Sequence, residues 1–214
     1  MTITVLGATG SSGRHIVEKL LAQGHPVRAV VRKARKAAAL QAAGVEVVEF
    51  DLASPSHEMF VPVFASAETV INAAATGSMT KRQAELIDHK GVVAAVDAAA
   101  ALGVKRWVQI SMMGSGDPGR LPGYLRATGR AKDAADTHLT RSGMTWTVIR
   151  PPWLTDGAAQ GRITVGDSVT EGSLSRADLA AVAIASLDVT TTHNRMFEVT
   201  GGGAPITDAL HGLA

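Results

Sequence analysis

The stretch Thr2-Ile-Thr-Val-Leu6, running into Gly7-Ala-Thr-Gly10-Ser-Ser-Gly13, decides the fold of this chain. An apolar strand pattern meets three spaced glycines, and an amphipathic helix pattern follows at once. A glycine turn between a buried strand and a helix start lets main chain approach a pyrophosphate. The helix N-terminus adds unpaired N–H donors and the positive end of its dipole. Gly7, Gly10 and Gly13 are the residues expected to do this, with Thr9, Ser11 and Ser12 in the same loop. A second strand, Pro26-Val-Arg-Ala-Val-Val31, then leads to Arg32 and Lys33. Dinucleotide sites that select the unphosphorylated ribose carry an acidic residue about twenty positions after the glycines, and this chain has Arg32 there. The expected cofactor is therefore NADP(H) rather than NAD(H).

The rest of the chain bounds the reading. At 214 residues it suits one domain, 1–214, burying roughly 70 per cent of its unfolded surface. A composition of 46% hydrophobic and 19% charged residues is that of a soluble globular protein without a long disordered tail or linker. Apolar runs stop well short of the roughly 20 residues a membrane span requires, and the N-terminus enters a strand directly. No membrane partner is expected, and the cytoplasm is the expected address. The absence of cysteine excludes disulfides, thiolate nucleophiles and cysteine metal sites. Histidines lack metal-ligand spacing, so no metal is expected. There is no Gly-x-Ser-x-Gly elbow, and no P-loop lysine follows the glycines. His89 beside Asp88 reads as a helix-surface feature.

Basic residues cluster at Arg28, Arg32, Lys33, Arg35 and Lys36. Only eight aromatic side chains accompany them in the whole chain, which argues against a nucleic-acid partner. Arg32 and Lys33 read as a 2′-phosphate pocket, and Arg35 and Lys36 as a solvated helix face.

Strand and helix signals alternate throughout, which predicts an α/β, doubly wound parallel sheet of Rossmann type with a small C-terminal extension. Further strands are expected at 45–50, 69–72, 106–111, 145–149 and 196–199, with a short segment at 162–165. Helices are expected at 34–43, 80–102, 127–142, 175–187 and from Ile206. One more near 56–65 is interrupted by Pro62.

In this order the pattern resembles the atypical short-chain dehydrogenase/reductases, small NAD(P)-binding proteins related to biliverdin/flavin reductases and NmrA-like redox sensors. The residues that carry the resemblance are Gly7-Ala-Thr-Gly10-x-x-Gly13, Asp51-Leu52, Asn72-Ala-Ala-Ala75, Gly103-Val-Lys-Arg-Trp107 leading to Ser111, and Arg150-Pro-Pro-Trp-Leu-Thr155. The tail, Ser175-Arg-Ala-Asp-Leu179 and Phe197-Glu-Val-Thr200, fits as well. The resemblance implies that Asp51 and Leu52 border the adenine. Asn72, Ala73, Ala74 and Ala75 would line the ribose and phosphates, and Ser111 would approach the nicotinamide, with Met112, Pro151 and Trp153 beside it. These segments fall at the carboxyl ends of strands, where open parallel sheets bind ligands.

Typical members of the wider family set a tyrosine four residues before a lysine, so that a phenol can exchange a proton. Lys132 stands at the lysine position, but Thr128 precedes it by four, and the nearest tyrosine is Tyr124. On a continuous helix Tyr124 would lie roughly 12 Å along the axis from Lys132 and about 80° round it. Gly123 and Gly129 leave a second arrangement, in which the helix starts late and Tyr124 folds back from a loop. Ser111, Lys132 and Tyr124 are the candidate catalytic residues, with Lys132 also a ribose ligand. Without a tyrosine, hydride transfer still suits an easily reduced acceptor such as a flavin, a quinone or a linear tetrapyrrole. Ser111 and Pro152-Trp153 would wall it, and biliverdin/flavin reductases have a histidine in place of Trp153. Met112 and Met113 suggest an adaptable apolar rim.

The expectation is an NADPH-dependent oxidoreductase acting on a small conjugated acceptor, as a monomer or homodimer. The alternative is a non-catalytic NADP(H) sensor of NmrA-like type. A sugar epimerase or dehydratase fits less well, because such relatives carry the tyrosine and a larger C-terminal region.

Overall fold

In the computed structural model, which describes residues 2–54, 57–78 and 80–213, strands form where continuous apolar runs can be covered on both faces. In chain order the strands of the main sheet start with β1 (Thr2–Leu6), β2 (Val27–Val31), β3 (Glu46–Glu49), β4 (Ala67–Asn72), β5 (Arg106–Ile110) and β6 (Thr145–Arg150). They are completed by β8 (Arg162–Gly166), β10 (Arg195–Gly201) and β11 (Ala204–Pro205). A separate parallel pair is made by β7 (Trp153–Thr155) and β9 (Ser173–Ser175).

The main sheet has the order β11-β8-β10-β6-β5-β4-β1-β2-β3. From β3 to β10 every neighbouring pair is parallel, and β8 joins β10 antiparallel. The doubly wound parallel sheet is thus present, and the late strands give it a mixed edge. The chain leaves β1 in opposite directions, towards β2 and towards β4. This switch point opens a crevice at the strands' carboxyl ends.

The helices are α1 (Gly13–Ala22), α2 (Ala38–Ala42), α3 (Phe60–Phe64), α4 (Lys81–Gln83), α5 (Val92–Ala101), α6 (Arg126–Leu139), α7 (Arg176–Asp188) and α8 (Ile206–His211). Neighbouring strand residues enter opposite cores, as a side-chain period of two requires. Val5, Ile71 and Ile149 pack with α1, α7 and α8, whereas Leu6, Val70 and Val148 pack with α3, α5 and α6.

Three sequence expectations change in detail. The helix expected over 80–102 contains π-helical turns at Ala84–Gly91 between α4 and α5. Pro62 sits in the first turn of α3, where a missing N–H breaks no intrahelical bond, so it does not interrupt that helix. Part of the expected 56–65 helix lies outside the described residues. The strands β7 and β9 were not foreseen, because each has only three residues and exists by pairing with the other.

Gly91, the last π-helical residue, presses against main chain. A Cβ there would run into the carbonyl oxygen of Leu52. Gly91→Ala is expected to lose up to about 2 kcal/mol net, as overpacking of about 1–3 kcal/mol is offset by roughly 1 kcal/mol of helix propensity. Urea unfolding checks this, with a lower midpoint at unchanged slope expected.

Candidate functional site

The glycine turn is shaped by contact between backbones. Gly7 has a left-handed φ of +74°, and a Cβ on it would lie 2.7 Å from both N and Cα of Ala74. A Cβ on Gly13 would strike the carbonyl oxygen of Gly7. Gly10 N–H donates to that same oxygen at 2.9 Å, closing the turn that delivers the chain to α1. The first turn of α1 has no side-chain cap and no acidic residue. Its N-terminal N–H groups and dipole therefore face the crevice without a protein anion.

This crevice is a cleft of about 870 Å³. Gly7, Thr9, Gly10, Ser11 and Ser12 form its floor, and Asp51, Leu52, Ala73, Ala74 and Ala75 line it beyond. Arg32 and Lys33 stand at one end together with Arg35 and Lys36. The last two are exposed, as a solvated helix face requires, and also border the cleft. They sit on a 3₁₀ turn, Ala34–Ala37, whose Ala34 N–H donates to Glu49 Oε2 at 2.6 Å. That bond ties the basic run to the end of β3.

Asn72 is also corrected from a lining residue to a supporting one, because it is completely buried. Its Nδ2 donates to Gln109 Oε1 at 3.0 Å, and its Oδ1 accepts from Ala74 N–H at 3.0 Å. The side chain thus holds the Ala73–Ala75 segment against Gly7. Gly13 is buried beneath the turn and acts by permitting it.

A second cavity of about 450 Å³ adjoins the first, sharing Ser12, Ala73, Ala75, Thr76, Leu154 and Arg176. Its wall brings together Ser111, Met112, Met113, Lys132, Pro151 and Trp153, residues far apart in sequence. Trp153 is 62% exposed and lies on β7, so a broad aromatic face stands at the rim. Tyr124 does not join them. Helix α6 does start late, at Arg126, but Tyr124 lies on a 3₁₀ turn (Gly123–Leu125), is 54% exposed and is not among the lining residues. Its neighbours Pro122 and Leu125 line the cavity instead.

Two carboxylates stand behind this wall. Asp88, on the π-helical turns, lies 3.3 Å from Lys132 Nζ and accepts from Thr76 N–H at 3.4 Å. Asp136, one helical turn after Lys132, accepts from Ser111 Oγ at 2.6 Å and from Arg150 Nη2 at 3.1 Å, all on Oδ2. Burial raises the Asp136 pKa above the usual carboxylate value, against the hydrogen bond from Ser111 and the charges of Arg150 and Lys132. Sequence reading missed Asp136 as a site residue. Its only signal was the four-residue spacing from Lys132, which puts both on one helix face. Arg176 was also missed. It opens α7, lines both cavities and pairs with Asp156 at 3.0 Å.

A glycine cleft at the switch point of a doubly wound sheet, beside a second cavity, defines a nucleotide-binding α/β protein. A family model of NAD(P)H-binding proteins matches residues 7–190, and the chain belongs to that family. The resemblance to atypical short-chain dehydrogenase/reductases holds, and the cofactor class is a nicotinamide dinucleotide. The chain is 33% identical, over all of both sequences, to YhfK of Bacillus subtilis (strain 168), described as an uncharacterized sugar epimerase. A solved structure from Bacillus halodurans, provisionally assigned as an NAD-dependent epimerase/dehydratase, superposes with a TM-score of 0.88. It is 30% identical, with 99% of each chain covered. ChuY of Escherichia coli O157:H7, an anaerobillin reductase, shares the fold at a TM-score of 0.79 and 24% identity, covering 94% of this chain and 97% of that one.

The residues present fit the dinucleotide. The Gly7–Ser12 turn that lines the cleft and the uncapped start of α1 offer the main-chain N–H groups that a pyrophosphate needs. No group of three or more metal-ligating side chains occurs among the described residues, and no helix among them is long and apolar enough to cross a membrane.

The buried pair Lys132–Asp88 yields a stability test. Asp88→Leu strands an ammonium that is 9% exposed and is expected to cost about 3–5 kcal/mol. Adding Lys132→Met should recover most of that loss in urea unfolding, because the uncompensated charge is gone.

Proposed function

We propose that the protein is an NADPH-dependent reductase of a flavin, a quinone or a similar conjugated acceptor. The observation that carries this reading is the second cavity. Met112, Met113, Leu121, Pro152 and Trp153 give it apolar walls beside the cofactor cleft, suited to a flat ring system stacked on the indole. When bound, the reduced nicotinamide supplies the hydride.

The chain's own residues position and exclude. The Gly7–Gly13 turn and the start of α1 hold the pyrophosphate, and Asp51 and Leu52 border the adenine. Ala73–Ala75 follow the ribose and phosphates, and Lys132 binds the nicotinamide ribose. Met112, Pro151 and Trp153 border the nicotinamide and keep water out. Arg32 and Lys33, with Arg35 and Lys36 beside them, select the 2′-phosphate. Tyr124 has no part in this scheme. The protein works in the cytoplasm in this reading, as a monomer or homodimer.

YhfK and the Bacillus halodurans structure carry epimerase names, and those names favour a sugar substrate. An epimerase must remove and return a proton or hydride at a sugar carbon, which usually calls for the tyrosine. Here the tyrosine stands outside the cavity. A second alternative is a nucleotide sensor without turnover. It is favoured by the absence of a tyrosine from the lining and by the engagement of the Ser111 hydroxyl with Asp136.

Absorbance-followed NADPH oxidation against FMN, several quinones and biliverdin separates these readings, with NADPH binding measured on the same preparation. Turnover is expected with at least one acceptor. Tight binding without turnover would favour the sensor, and conversion of a nucleotide sugar without net NADPH oxidation would favour the epimerase. For cofactor choice, Arg32→Glu is expected to weaken NADPH by about 1.5–3 kcal/mol, roughly ten- to a hundredfold, and NADH far less. Equal losses for both in a binding titration would remove Arg32 from the 2′-phosphate site.

A further inference from the structure

The reductase reading leaves the source of one reactant to be assigned among the polar side chains of the cavity, which include Ser111, Lys132 and Glu171. A conjugated acceptor that takes a hydride must also take a proton, and no phenol lines the cavity. Ser111 does line it, and the Ser111 hydroxyl bonds at 2.6 Å to Asp136, a carboxyl with no exposed surface. The other oxygen of that carboxyl, Oδ1, is buried without a hydrogen-bond partner. A fully ionised carboxylate would leave a charged, unsolvated oxygen there, which a neutral carboxyl avoids.

We propose that Asp136 is the proton store of the site and that Ser111 relays its proton to the acceptor. Asp136 is thus a positioning residue acting through Ser111. With Asp136 neutral, its O–H donates to Ser111 Oγ, and the serine's own hydrogen is free to point into the cavity. The acceptor gains, at a ring carbon or nitrogen, the hydride carried by the reduced cofactor. The acceptor heteroatom gains the hydrogen of Ser111, Ser111 gains that of Asp136, and Asp136 is left ionised. Solvent returns the proton by way of Ser111 once the product has gone.

The charged groups facing Asp136 are Arg150 at the end of β6, and Lys132 and Asp133 on its own helix. Asp133 takes up part of the Arg150 charge at 2.8 Å, and Lys132 is paired with Asp88 of the π-helical turns. Each cation is therefore shared with a second carboxylate, which limits its pull on the Asp136 proton. The raised pKa of Asp136 agrees with this arrangement. The working form is the neutral one, so activity should be full at low pH and fall as pH rises through the titration of Asp136.

The relay rests on the reductase reading, and the test keeps the two apart. Infrared spectra of the cofactor-free protein, followed from low pH upward, should show a buried carboxylic C=O band that persists above the usual carboxylate range. The band is expected to vanish in Asp136→Asn and to shift in Ser111→Ala, which removes one hydroxyl and threatens the fold least. With a quinone, kcat should fall about 10²-fold in both variants. The KM for NADPH should stay nearly constant, and the high-pH decline should be lost. Turnover without the infrared band, or an Asp136→Asn variant that keeps kcat and its pH profile, would overturn the relay alone. The band without turnover on any acceptor would overturn the reductase reading and the relay's use with it.

Discussion

The close approach of main chain at Gly7 is the constraint on which the ligand-binding edge of the sheet depends. Three backbone segments meet there with no room for a side chain: the end of β1, the Ala73–Ala74 segment after β4, and the start of α1. A left-handed residue is needed to turn the chain, and a bare Cα to admit its neighbours. Asn72 fixes the second of those segments by accepting from Ala74 N–H, so the cradle is held from both sides of the switch point. The orientation of α1, and hence of its unpaired N–H groups, follows from that packing.

Charge inside the fold is handled in two distinct ways. Arg106 on β5 has no carboxylate partner among the described residues. Its guanidinium donates to the carbonyls of Trp107, Thr145 and Ser186 and to Thr147 Oγ1, and burial lowers its pKa to about 10. Main-chain dipoles there stand in for water and tie β5 to β6 and to the end of α7. Arg28 on β2 is held similarly by the carbonyls of Val63 and Ala65, with Glu46 at the rim. These arginines are structural. The charges near the cavity, Lys132 and Arg150, are instead paired with carboxylates.

The glycine turn and the parallel strands were legible because their causes are local. β1, β2 and β5 carry largely apolar or buried runs, and the left-handed turn at Gly7 calls for glycine on local grounds alone. The cleft residues after β3 and β4 followed from their place at strand ends. What could not be read depends on which surfaces meet. The roles of Asp88 and Asp136 require the π-helical turns to pack on α6. Asn72 looked like a lining residue, because a strand-end position does not say whether its side chain points out or in. Tyr124 shows the same limit: the late start of α6 was foreseeable from Gly123 and Gly129, but the direction of its ring was not.

The site separates contact from polarity. The surface that a ligand would touch is mostly aliphatic, sulfur-bearing or aromatic, and its polar groups include a hydroxyl and an ammonium with a carboxylate behind each. Asp136 backs Ser111 and Asp88 backs Lys132, and both acids are 2% exposed or less. In this low-dielectric setting a carboxylate out of reach of the ligand still governs the hydrogen-bonding state of the group in front of it. A tyrosine in the wall would carry its own proton and need a cation nearby to release it. A serine is too weak an acid to do so alone, and its usefulness is set by what stands behind it. The polarity of this cavity is therefore set by Asp136 on α6 and Asp88 on the π-helical turns packed against it, one layer beneath the residues that line the space.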